Sequence, residues 1–225
     1  MNDNKDQSAA GNKGFSMKIN VHRWFTLFCS VLLLSACASQ SPTNYYSLQV
    51  QTDRSVEISL PESVTLGVGP ITLPSELDRP GLVTELRGSG ISIASYHIWA
   101  GDLDENFSRV LAGLMAEHLK VDEVYAAPWD TRFRPEYQLR VDVQRFSGTL
   151  GGEVYMDVLW TLTSEQGRHK LHGERSKLQL SSNGSSHLDY VDALNRLMSY
   201  FSVSVAGRME QLLAGADGSL TYGDK

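Results

Sequence analysis

The clearest hydrophobic periodicity lies in the middle of the chain. Leu103, Phe107, Val110, Leu111, Leu114 and Met115 recur at helical spacing and predict an amphipathic helix over 102–119. Asp102, with Glu105 three residues later, predicts a capping box at its start. A second stripe, Val191, Leu194, Met198, Phe201, Val205, Met209 and Leu212, predicts a long helix over 186–213. Ser186 and Asp189 offer a capping pattern there too.

Between these helices the period changes to two. Leu139, Val141, Val143 and Phe146 share one side of a predicted strand over 137–149, with Arg140, Asp142 and Gln144 on the other. Predicted strands over 154–163 and 169–180 follow, joined by Gly151-Gly152 and by Glu165-Gln166-Gly167. The three read as an antiparallel meander, apolar on one face and polar on the other. Upstream, strands are predicted over 45–50, 64–71, 82–86, 91–98 and 121–126, with Gly88-Ser89-Gly90 turning a hairpin between the third and fourth. Arg54 to Ser59 reads as a connection or a short strand. The expected class is α+β, an antiparallel-rich β-sheet with two amphipathic helices packed on one face.

The first residues follow different rules. Residues 1–16 are polar and low in complexity, upstream of a second possible start at Met17. Lys18 and Arg23 then precede an apolar run, Trp24 to Leu34, of signal-peptide length and short of the roughly 20 residues of a membrane-spanning helix. The run ends in Leu34-Ser35-Ala36-Cys37, the bacterial lipobox pattern: an aliphatic residue, two small residues that let a peptidase reach the backbone, then Cys. The Cys37 thiol would carry thioether-linked diacylglycerol and its freed amine a further acyl chain. The other reading is an ordinary secretory signal with a chance cysteine. The expected organisation is therefore 1–36 extension and signal peptide, 37–44 lipidated tether, 45–213 folded domain and 214–225 flexible tail. Ala38, instead of Asp, after the lipidated residue favours the outer membrane over the inner.

Composition narrows the chemistry. Net charge is −6, against a nucleic-acid partner, which demands basic surface. Losing Lys5, Lys13, Lys18 and Arg23 with Asp3 and Asp6 on cleavage takes it to −8. Of two cysteines, Cys29 leaves with the signal and Cys37 is acylated, so neither a disulfide framework nor a thiolate zinc site is expected. His169 and His172 face opposite sides of a strand, and His97, His118 and His187 are scattered, so no metal is expected. Gly88-Ser89-Gly90 lacks the spacing of a nucleophile elbow, and no catalytic residue is assigned. Gly67-Val68-Gly69-Pro70 lacks the lysine and following helix of a phosphate loop. Trp99 has two readings: a staple holding hairpin to helix, or part of a partner or subunit surface together with Tyr45 and Tyr46.

Several short stretches resemble one family. Asn44-Tyr45-Tyr46-Ser47-Leu48, Val68-Gly69-Pro70-Ile71-Thr72-Leu73-Pro74 with Leu77-Asp78-Arg79-Pro80, and Trp99-Ala100-x-x-Leu103-Asp104-x-x-Phe107-x-x-Val110-Leu111 are similar to the PqiC/YmbA-like lipoproteins, the ABC-type transport auxiliary lipoprotein component family. The order of these motifs covers the chain from about 40 to 220. The resemblance implies an outer-membrane lipoprotein facing the periplasm, without catalytic activity and without a cofactor beyond the covalent lipid on Cys37. It implies partners too: an MCE-domain protein that spans the periplasm and an inner-membrane transporter subunit, in a system for lipid transport and membrane integrity. Some relatives form homo-oligomeric rings. Two alternatives stay open, a solute- or lipid-binding lipoprotein of an ABC transporter and a periplasmic enzyme.

Overall fold

A computed structural model describes residues 42–52, 58, 64–130 and 132–217. The lipobox, Cys37, the start of the tether, nearly all of the 54–59 connection and the last eight residues lie outside these. The strands are β1 (Asn44–Tyr46), β2 (Leu66–Thr72), β3 (Gly81–Glu85), β4 (Ile91–Trp99), β5 (Val124–Ala126), β6 (Tyr137–Gly148), β7 (Glu153–Ser164) and β8 (His169–Ser181). The helices are α1 (Leu103–Leu119) and α2 (His187–Asp217).

The class is α+β, as the periodicities predict. The strands divide into two sheets, ordered β1-β4-β3 and β5-β2-β6-β7-β8. The meander β6-β7-β8 is antiparallel throughout and supplies the longest ladders. To it β2 adds parallel to β6, and β5 parallel to β2. Pattern alone does not distinguish parallel addition from antiparallel, because β2 is buried at most positions on both faces.

One face of β6 and β7 makes the core. Leu139 lies opposite Leu162, Val141 opposite Trp160, Val143 opposite Val158 and Phe146 opposite Met156, all buried. The run from Val143 to Phe146 breaks strict alternation, and a register shift between Val143 and Arg145 absorbs the extra residue. Phe146 thereby returns to the core and meets Phe107 of α1 edge-on, centroids 5.4 Å apart. The α1 stripe packs against β2 and β5, and α2 lies over β7, β8 and α1. Ser108 pins α1 to the sheet: its hydroxyl donates to the Val68 carbonyl (2.7 Å) and accepts from the Ala127 amide (3.1 Å).

The two helix starts differ. At α2 the Ser186 hydroxyl accepts from the Asp189 amide (3.1 Å), and the Asp189 carboxylate accepts from the Ser186 amide (3.0 Å), the reciprocal cap that the sequence predicts. At α1, Asp102 has the extended backbone of an N-cap but its side chain makes no capping bond. The expected capping box is absent there. The acidic first turn, Asp104 and Glu105, still complements the helix dipole.

Two predicted strands are shortened. β1 stops at Tyr46 because Leu48 turns into the core and the Gln49 amide donates to Asn195 Oδ1 of α2 (3.0 Å). β5 starts at Val124, not at Val121, because Lys120 ends α1 in the left-handed region (φ 53°) and the next residues turn the chain back toward β2. The Gly67-Val68-Gly69-Pro70 stretch sits inside β2, not in a phosphate loop. A side chain at Gly67 would strike Trp129 and Pro135, and Gly69 has φ +121°, where glycine is favoured.

Candidate functional site

Three surfaces could meet something outside the chain. The first surrounds β1, the first strand of the described chain. β1 lies parallel to the end of β4, with Asn44 opposite His97, Tyr45 opposite Ile98 and Tyr46 opposite Trp99. A 2.7 Å hydrogen bond joins the Tyr46 hydroxyl to His97 Nδ1. The His97 ring in turn stacks flat on His187 at the start of α2, centroids 3.6 Å apart and planes within 9°. Three distant parts of the chain are thus clasped together. Tyr45 points outward, 67% exposed, whereas Trp99 is 6% exposed and belongs to the core. At that exposure its indole offers a partner no open face.

The stacked histidines carry a pH dependence. Burial, and then the neighbouring His97 ring, push the His187 pKa below its ordinary 6.5. The unfolded chain therefore takes up the proton first as pH falls. His187's contribution to stability is complete above about 6.5 and declines as pH drops toward the lower folded value. Melting at pH 7.5 and 5.5 should show a loss that shrinks in His187→Gln. Glu85, Asp157 and Glu174, held below their ordinary values by hydrogen bonds from Arg145, Arg175 and His172, lose their contributions only in more acid solution.

The second surface is the β3–β4 hairpin. Its turn is closed by the Leu86 amide donating to the Gly90 carbonyl (2.9 Å), with Gly88 at φ +82°. Around the tip Leu86 is 55% exposed, Ile91 47% and Ile93 43%, with Tyr96 at 50% farther along. β1 covers only the last three residues of β4, so among the described residues no strand pairs with that edge from Ile91 to Tyr96. On its inner side the hairpin is locked to β6: Arg145 donates to both Glu85 oxygens (2.7 and 2.5 Å), and the Ser147 hydroxyl donates to Glu85 (2.7 Å). Arg145 also lies over the Tyr155 ring at 3.6 Å. Ile91 and Ile93, opposite Glu85 and Val83, share that inner side, and Gly88 to Ile91 line a cleft of about 290 Å³ with Glu76, Gln144 and Arg145.

The third surface is the sheet face away from the helices. A groove of about 590 Å³ there runs past Thr72, Arg140, Leu159, Thr161, Lys170 and Arg175. Beside it Asp157 accepts two hydrogen bonds from Arg175 (both 2.7 Å) and lies 3.7 Å from Lys177. The groove is open and mixed in charge, the ordinary character of a solvated sheet face. Among the described residues no group of three or more His, Cys, Asp or Glu side chains could hold a metal ion, and no helix is long and apolar enough to cross a membrane.

Sequence reasoning pointed to Trp99, Tyr45 and Tyr46 and missed the hairpin tip. Ile91-Ser92-Ile93-Ala94-Ser95 alternates like any half-buried strand, and only the fold shows its isoleucines half exposed beside an unpaired edge. The one available signal was the lack of acidic residues from Leu86 to Tyr96 in an acidic chain.

The model of a family described as the ABC-type transport auxiliary lipoprotein component matches residues 46–206. Two crystal structures share the fold. One, of an uncharacterized protein, aligns with a TM-score of 0.60 at 20% identity, over 75% of this chain and 99% of that one. The other, a Xanthomonas campestris protein of the DUF330 family, aligns with a TM-score of 0.64 at 15% identity, over 80% of this chain and 100% of that one. At such identities the likeness speaks of fold alone. No curated protein matches the chain by sequence.

Proposed function

We propose, from the premise that this chain belongs to the ABC-type transport auxiliary lipoprotein component family, that it is the outer-membrane docking piece of an MCE-type lipid transport system. Membership makes it a membrane-anchored accessory of a transport system. The finer reading is ours. Acyl chains on Cys37 hold the domain at the periplasmic face of the outer membrane, residues 37–44 let it turn, and the folded body receives the far end of a periplasm-spanning MCE-domain protein. The work is positional, not catalytic. A homo-oligomeric ring would give that receiving end its symmetry.

One observation carries this reading: the family match runs from the end of β1 through both sheets and well into α2, so most of the folded body is the recognised module. The segment before it, which contains the lipobox, is left for attachment. The solute-binding alternative gains no comparable support. Phe107, Phe146, Trp160 and Phe201 fill the interior, and the groove over the sheet is open and charged.

Affinity capture of the tagged full chain from detergent-solubilised envelopes tests the reading. An MCE-domain protein and an inner-membrane transporter subunit are expected in the eluate. An eluate without any MCE protein, under conditions that keep known envelope complexes intact, would refute it.

A further inference from the structure

We propose that the tip of the β3–β4 hairpin rests in the membrane surface that the anchor reaches, as a second, non-covalent contact that sets the domain's orientation. This inference rests on the reading of Cys37 as the lipidated residue.

The direction of the chain points there first. β1 runs parallel to β4, so the chain before Asn44 arrives from the side of the earlier β4 residues, toward the hairpin. Length agrees. The segment from Cys37 to Asn44 spans at most ~25 Å when fully extended, and the segment from Ile91 to His97, the partner of Asn44, at most ~21 Å. The reach of the extended tether is therefore no shorter than that stretch of β4.

The chemistry of the tip suits an interface. Leu86, Ile91 and Ile93 stand half exposed around it. Arg87 is the only charged residue from Leu86 to Tyr96, placed to reach a phosphate while its stem stays among acyl chains. Tyr96, also exposed, has the amphipathic ring found at headgroup depth. The open edge of β4 keeps the contact shallow, since unpaired backbone groups cannot enter hydrocarbon. Three apolar side chains would bind vesicles poorly alone. Beside an anchor the event is intramolecular, and a weakly favourable contact is enough.

The mature chain has no free thiol once Cys37 is acylated, so one introduced cysteine can be labelled selectively. Leu86→Cys and, separately, Ile91→Cys would carry a polarity-sensitive dye in the acylated protein. The vesicles are phosphatidylethanolamine and phosphatidylglycerol, with or without bilayer-embedded quencher lipids. Glu210→Cys is the control, about 30 Å along α2 from Tyr190, whose hydroxyl donates to the Val83 carbonyl of the hairpin. Dye at 86 and 91 should shift to the blue and lose most of its emission to quencher lipids, and dye at 210 should do neither. Dye at 86 and 91 that behaves like dye at 210 overturns the proposal, with the anchor left standing. Dye shielded from water yet untouched by quencher lipids, in proportion to protein concentration, overturns it in favour of a second copy pairing on the β4 edge. Protein that fails to float with the vesicles lacks its acyl chains, and then both readings fall.

Discussion

Cys37→Ser abolishes incorporation of labelled palmitate and leaves the leader uncleaved. On the proposed reading the Cys37 sulfur is the atom that takes diacylglycerol, and a serine hydroxyl does not replace it in that transfer. Each buried CH₂ contributes about 0.8 kcal/mol, so two or three acyl chains hold a protein where a single shorter chain would not. The effect is therefore all or none. On that reading the variant should accumulate as precursor held by its own apolar run, Trp24 to Leu34. On the same reading, capture of the proposed MCE partner should be lost with it. Cys29→Ser, in the segment proposed to leave with the signal, should keep both label and processing. Fractionation with radiolabelled palmitate reads both variants, and label retained by Cys37→Ser would contradict the account.

Phe107→Ala has the largest effect expected within the fold. Phe107 is fully buried on α1 and meets Phe146 just beyond the shifted register of β6, so it joins the first helix to the central meander. Truncating a buried Phe costs about 3–5 kcal/mol, a transfer loss plus the cavity left behind. For a domain of this size that lowers the thermal midpoint by roughly 6–20 °C. Tyr45→Ala, at an exposed ring, should stay within about 0.5 kcal/mol of the wild type. Urea or thermal melts followed by circular dichroism compare the two, and equal midpoints would show that the packing described around Phe107 is wrong.

What could be read in advance follows from what is local. The α2 stripe and its Ser186–Asp189 cap depend on residues three and four apart, and both stand in the fold as the pattern predicts. The β6–β7–β8 meander depends on alternation and tight turns, again local signals. The division into two sheets and the parallel joining of β2 to β5 and β6 are long-range facts with no signature in a two-residue period. Asp102 had the right residue type and spacing for a cap and still makes none, because spacing does not decide where a side chain turns. The surfaces were harder. Tyr46, His97 and His187 come from three elements brought together only by the fold. A tryptophan beside a helix start reads first as staple and second as interface, and Trp99 lies inside.

The central claim concerns a covalent bond, and intact-mass analysis of the mature N-terminal peptide, from protein purified out of its own membranes, tests it most directly. The account predicts a peptide whose first residue is Cys37, heavier by a diacylglyceryl thioether and an amide-linked acyl chain. A peptide that starts elsewhere, or that shows Cys37 with a free thiol, would contradict it.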